Sequence, residues 1–175
     1  MPSTPRPMKI LSAVCFSLFS GLCWAGTSIS LCSADEIVFL SCSLGHKLLS
    51  VCASKDLSSD RGYIEYRFGK QNLIELRYPD KSLPPKQAFT FLALGTGQAV
   101  ENSLRFRNGE YTYTVYSVGG RTFEDHGVYV RKDNALISRQ ACRTKIVGNL
   151  GTTEFTQKII GAGVPKPERE YSVYE

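Results

Sequence analysis

The stretch Phe39-Leu-Ser-Cys-Ser-Leu-Gly-His-Lys-Leu-Leu-Ser-Val-Cys-Ala53 indicates the fold more clearly than the rest of the chain. It predicts two strands, about Glu36–Ser43 and Lys47–Ala53, joined by a tight turn at Leu44–His46. Gly45 can supply the positive φ that such a turn usually needs. Both strands carry apolar residues on both faces, so we expect this hairpin to lie buried at the centre of a β core.

The N-terminal segment predicts export. A short basic start containing Arg6 and Lys9 is followed by Ile10–Leu22, which is free of charge, and then by Cys23-Trp24-Ala25. This order is typical of a secretory signal peptide cleaved after Ala25. A membrane span needs about 20 apolar residues, and this run is shorter, so a cleaved signal is preferred to an anchor. The expected location is therefore the periplasm or the outside of the cell, with no membrane span after cleavage.

Cleavage would leave one domain of ordinary size, which we expect to be a monomer. Residues 26–160 are predicted to form this single β domain. Gly161–Glu175 carries two prolines and many charges, so a disordered tail is expected there. The formal net charge falls from +5 to +3 when Arg6 and Lys9 leave with the signal. This charge is weak and dispersed, which argues against nucleic acid as a partner.

Three further hairpins and one single strand follow the first hairpin. They are predicted at Tyr63–Phe68 with Leu73–Tyr78, at Gln87–Leu94, around Asn108-Gly109, and at Gly127–Arg131 with Ala135–Ala141. Eight or nine short strands with little helix predict an antiparallel all-β domain. At this size the domain is a small closed β-barrel or a two-sheet sandwich, and the meander order favours the barrel.

Side-chain patterns also predict the register of the hairpins. In the second hairpin, pairing Tyr66 with Leu76 collects the apolar residues on one face and sets opposite charges on the other. In the third hairpin, a two-residue turn at Asn108-Gly109 places Phe106 opposite Tyr111. The fourth hairpin is expected to turn at Asp133-Asn134.

The cysteine count predicts disulfides. Cys32, Cys42, Cys52 and Cys142 remain after the signal, and an even number in an exported chain indicates two bonds. We prefer Cys42–Cys142 with Cys32–Cys52, because a barrel brings its first strand beside its last. The pairings Cys42–Cys52 with Cys32–Cys142, and Cys32–Cys42 with Cys52–Cys142, stay open. With no Cys-x-x-Cys pattern and two histidines, no metal or cofactor is expected.

The sequence contains no catalytic pattern that we recognise. His126 follows Glu124 and Asp125 and is interpreted as part of a surface turn before a strand, and His46 as a turn residue. There is no Gly-x-Ser-x-Gly elbow, and the glycine runs do not precede helices. We therefore predict no catalytic residues and expect a protein that is not an enzyme.

From Phe39 to Cys142 the order of features resembles the periplasmic and membrane-bound inhibitors of c-type lysozyme. The matching pieces are Ser41-Cys42, the segment Asn108-Gly-Glu-Tyr-Thr-Tyr-Thr-Val-Tyr116, and the closing segment from Tyr129 to Cys142. The resemblance implies a small exported β-barrel, a Cys42–Cys142 bond, and a binding loop that would contain Gly95, Thr96, Gly97 and Gln98. Ser50–Ser54 and Tyr66–Gly69 resemble segments of an exported bacterial family more closely, and that family brings no function with it.

These observations lead to one preferred function and one alternative. The preferred function is an exported, non-enzymatic binding protein of the bacterial envelope, whose partner is a protein or an envelope component, with lysozyme as the named candidate. The alternative is a hydrolase of envelope glycans. That enzyme would need two carboxyl groups about 5–10 Å apart in a groove.

Overall fold

The computed structural model describes Met1 and residues 30–95, 97–168 and 172. The signal peptide expected over residues 1–25 therefore lies outside the described residues except for its first. The described ranges contain nine strands and two helices: β1 Glu36–Ser43, β2 Leu48–Ser54, β3 Ile64–Lys70, β4 Leu73–Tyr78, α1 Pro85–Ala88, β5 Thr90–Gly95, β6 Ala99–Asn108, β7 Tyr111–Gly120, β8 Glu124–Lys132, β9 Ala135–Ala141 and α2 Thr153–Gly161.

The strands form two antiparallel sheets and not the closed barrel that the meander order favoured. Sheet A contains β1 to β4 and sheet B contains β5 to β9, each in sequence order. The division falls between Tyr78 and Thr90, where Pro79, Pro84 and Pro85 lack the N–H groups that would continue a ladder. The alternative that the sequence left open, a two-sheet sandwich, fits this architecture.

The core lies between the two sheets. The rings of Tyr66 in β3 and Phe106 in β6 are 4.9 Å apart, and Tyr78 in β4 stacks on Phe106 at 4.3 Å. Buried apolar residues of both sheets belong to one continuous cluster. The apolar face predicted for the second hairpin is therefore buried, whereas Tyr111, expected opposite Phe106 in the third hairpin, is 38% exposed.

Both preferred disulfides are present. Cys32 is bonded to Cys52 and Cys42 to Cys142, with Cα atoms 5.4 and 5.6 Å apart. The reason offered for the second bond was wrong, because β9 does not pair with β1 to close a barrel. Instead, the chain after β9 returns to sheet A, where Arg143 N–H donates to the Ser43 carbonyl oxygen at 2.8 Å. This return segment brings Cys142 to Cys42.

The second and third hairpins keep the predicted faces but not the predicted register. Tyr66 pairs with Tyr78 and not with Leu76. Phe106 pairs with Tyr113 and not with Tyr111, because the third turn consists of Gly109 and Glu110. In both hairpins the observed partner lies two positions from the expected one. Since side chains alternate with period two, the same residues still face the core.

The segment after β9 packs more fully than the sequence suggested. Helix α2 begins after Thr152, whose hydroxyl accepts a hydrogen bond from Phe155 N–H, and it buries Ile159. Neither helix in the described ranges is long and apolar enough to cross a membrane. Residues 161–168, expected within a disordered tail, are instead held by burial of Val164 and by the Phe91 N–H to Pro165 O hydrogen bond of 2.9 Å.

Candidate functional site

Two neighbouring turns meet at one end of sheet B. Ala99 pairs with Gly120, so the β5–β6 turn lies beside the β7–β8 turn. The depression between them has a volume of about 410 Å³, and we call its lining the tip surface: Gly97, Gln98, Arg121, Thr122 and Phe123. The structure thus places Gly97 and Gln98, two of the predicted loop residues, in the tip surface. Gly95 is exposed at the end of β5, and Thr96 lies outside the described residues.

Phe123 is the aromatic residue of the tip surface. Its side chain is 47% exposed. Its ring lies against the backbone of Gly120, where an added Cβ would come within 2.5 Å of the ring. Gly120 N–H also donates to the Phe123 carbonyl oxygen at 2.9 Å. An exposed ring that is already held in place loses little conformational freedom when a partner covers it, which favours binding.

A polar cluster lies on the inner face of sheet B at the same end. Ser117 Oγ in β7 is 2.9 Å from His126 Nδ1 in β8 and 2.7 Å from Asn149 Oδ1. Gly151 N–H donates to the same Asn149 oxygen at 2.7 Å. These four residues line a cavity of about 150 Å³ together with Asn102, Val100, Gly119 and Glu124. Val100 is 51% exposed, so this cavity lies close to the exposed end of the sheet.

The interpretation of His126 as a surface-turn residue was wrong. Strand β8 begins at Glu124, so His126 already lies within the sheet opposite Ser117, and it is 8% exposed. The acidic residues before His126 suggested a loop. The pairing of β7 with β8 is the feature that would have placed His126 within the sheet, opposite Ser117.

The hydrogen bonds of the cluster define where its protons lie. Gly151 N–H can only donate, so the Asn149 atom facing it is the amide oxygen. Ser117 must then donate its single proton to that oxygen and accept one from His126 Nδ1. A nucleophilic serine needs the opposite arrangement, with the imidazole accepting the hydroxyl proton. This geometry therefore does not activate Ser117 as a nucleophile for acyl transfer.

A second polar cluster, far along the chain from the first, anchors residues 30–35, which precede β1 and which we call the lead-in segment. Glu36 forms an ion pair with Arg67 at 2.6 Å and accepts a hydrogen bond from Tyr63 Oη at 2.7 Å. Burial by itself raises the pKa of Glu36, but hydrogen bonds from Arg67, Ser33 and Tyr63 outweigh it and lower the pKa to about 2. A general acid needs the opposite shift, so this carboxyl is structural.

Cys32, Glu36 and Cys52 lie close enough together to suggest a metal site. Both sulfur atoms belong to the Cys32–Cys52 disulfide. A metal-binding cysteine acts as a thiolate, which a disulfide sulfur is not. This group is therefore a covalent anchor of the lead-in segment to β2.

Comparisons with protein-family models, curated proteins and solved structures found no match. The resemblance to the lysozyme inhibitors therefore stays a prediction, as does the glycan hydrolase alternative.

Proposed function

We propose that this protein is an exported, non-enzymatic binding protein of the bacterial envelope that contacts its partner through the tip surface. The observation that carries the proposal is the ring of Phe123, which is 47% exposed and held against Gly120. Aromatic residues fixed at the centre of a contact commonly supply much of its binding energy. Gln98 and Arg121, on either side of the same depression, add hydrogen-bond donors.

Two further features support export and binding. The bonds Cys32–Cys52 and Cys42–Cys142 are of a kind that persists in oxidising compartments such as the periplasm. The proton arrangement at Ser117 supplies no activated nucleophile. A c-type lysozyme is the specific partner to test first, because the sequence resemblance points to it and the family's binding loop corresponds to Gly95–Gln98.

The test uses the oxidised mature protein, residues 26–175, and a matched pair of variants. Phe123→Ala removes the ring from the tip surface. Leu136→Ala removes an equally exposed apolar side chain, 53% accessible, beside the Asp133-Asn134 turn at the opposite end of sheet B. We expect the wild-type protein and Leu136→Ala to inhibit lysozyme at micromolar concentration, and Phe123→Ala to need at least ten times more protein.

Two outcomes separate the specific proposal from the general one. Lack of inhibition by the wild-type protein at micromolar concentration would rule out lysozyme as the partner. Capture from an envelope extract then tests the wider proposal with the same three proteins. A partner retained by wild type and Leu136→Ala but not by Phe123→Ala supports the tip surface, and equal retention by all three contradicts it.

A further inference from the structure

His126 directs a buried ring nitrogen toward a carboxylate. Its Nδ1 carries the proton that Ser117 accepts, so a neutral ring has its lone pair on Nε2. Nε2 is buried and has no hydrogen-bond partner, and Glu124 Oε2 lies 3.5 Å from it. An imidazole nitrogen and a carboxylate oxygen are both common metal ligands, and this pair has no other hydrogen-bond partner at Nε2, so the arrangement can hold a cation between them.

We propose that the position between His126 Nε2 and Glu124 Oε2 binds a divalent transition-metal ion of the Zn²⁺ class. Zinc lies about 2.0–2.1 Å from an imidazole nitrogen and about 2.0–2.2 Å from a carboxylate oxygen. At a tetrahedral angle these bond lengths place the two ligand atoms about 3.3–3.5 Å apart. The observed separation of 3.5 Å lies within this range.

The surroundings of His126 orient it as a metal ligand. Metal-binding histidines usually donate their other ring N–H to a fixed oxygen, which sets the tautomer and the direction of the ring. Here Nδ1–H donates to Ser117 Oγ, which donates in turn to Asn149 Oδ1, and Gly151 N–H holds that oxygen in place. The chain of donors leaves Nε2 as the coordinating atom.

The remaining coordination positions are open. The Glu124 side chain is 71% exposed, while that of His126 is 8% exposed, so an ion there would face solvent on one side. A neighbouring cavity of about 360 Å³, lined by His126, Glu124, Asp125, Thr144 and Lys145 among others, has room for water ligands. Lys145 is an exposed residue, so its ammonium group can remain in solvent away from the ion. Two protein ligands and water make a site that exchanges its ion.

The test is a titration of the mature protein with Zn²⁺ alone. The chain has two histidines, so a ¹⁵N-histidine spectrum contains two rings, and His46→Gln leaves one. We expect Zn²⁺ at micromolar concentration to shift His126 Nε2 while Nδ1 keeps its proton. Calorimetry should give one ion per chain. Glu124→Gln should weaken binding at least tenfold, and His46→Gln should leave it unchanged. Ca²⁺, which prefers oxygen ligands, should not compete.

Three results would overturn the site. One is the absence of a Zn²⁺-dependent shift at His126. Another is equal Zn²⁺ affinity in Glu124→Gln, with the native amide spectrum showing that this variant is folded. The third is a spectrum in which His126 Nε2 stays protonated at neutral pH in excess Zn²⁺. In that case His126 and Glu124 form an ordinary ion pair and bind no metal ion.

Discussion

At the scale of single residues, the clearest electrostatic feature is the Glu36–Arg67 pair. Arg67 is 6% exposed, contacts Glu65 Oε2 at 2.7 Å and donates to the Leu31 carbonyl oxygen at 2.9 Å, so one guanidinium joins the lead-in segment to sheet A. The sequence shows the charges of this group but not that Glu36 and Arg67 meet. Their sequence separation is 31, and they meet because β1 and β3 both pair with β2 in sheet A.

The lowered pKa of Glu36 predicts acid sensitivity. Its folded-state pKa of about 2 lies below the ordinary value of 4.5. The stabilisation is therefore fully present above about pH 4.5 and is lost as the pH falls toward 2. In chemical denaturation, Glu36→Gln should remove part of the fall in unfolding free energy across that window. The exposed Glu110→Gln should keep it, and identical pH profiles for wild type and Glu36→Gln would contradict this assignment.

At the scale of elements, turn chemistry determined each register. In the third hairpin Gly109 has φ +60 and stands first in the turn, as a type II′ turn requires, so Asn108 stays in β6. The fourth turn is Asp133-Asn134 as predicted, with both residues at positive φ. In the second hairpin a bulge lies between Phe68 and Gly69. The extra residue is in β4, and it shifts the β3–β4 pairing by one position.

We predict that Gly69, at the bulge of the second hairpin, cannot be replaced by a residue with a side chain without loss of stability. It has φ +150, and an added Cβ would overlap the Leu73 carbonyl oxygen. We expect Gly69→Ala to lower the free energy of unfolding by roughly 1–3 kcal/mol, the cost of strained backbone. Gly95→Ala is the matched control in β5, because its Cβ would meet no atom within 4 Å. Equal urea midpoints for the two variants would show that the bulge is not rigid.

At the scale of the whole molecule, Cys42–Cys142 connects sheet A to the end of sheet B across a sequence separation of 100, against 20 for Cys32–Cys52. The longer loop loses more chain entropy when it is closed. The chain-entropy model gives about 4.7 kcal/mol for a 100-residue loop and about 3 kcal/mol for a loop near 15 residues.

Replacing Cys42 and Cys142 together by alanine should therefore lower the melting temperature more than replacing Cys32 and Cys52 together. A reducing agent should lower the melting temperature of the wild-type protein at least as far as the first replacement does. Calorimetry on the four samples checks this order. The reverse order would mean that the anchored lead-in segment contributes more than closure of the long loop.

Local patterns in the sequence were sufficient for the all-β class, the approximate strands and the buried face of the second hairpin. The alternation of apolar and polar residues and the turn residues are properties of short stretches of chain, and the cysteines can be counted, so all three are visible without coordinates. The predicted Gly97 and Gln98 also lie in the tip surface, although the Phe123 ring beside them was not foreseen.

Tertiary structure alone decided the division into two sheets and the polar cluster. Prolines at positions 79, 84 and 85 mark a linker in the sequence, but only the strand pairing shows that one sheet ends there and another begins. Ser117, His126 and Asn149 meet because β7 pairs with β8 and because the chain after Cys142 returns across the end of the core. Such contacts depend on the sum of many packing and pairing energies, and no short stretch of sequence records them.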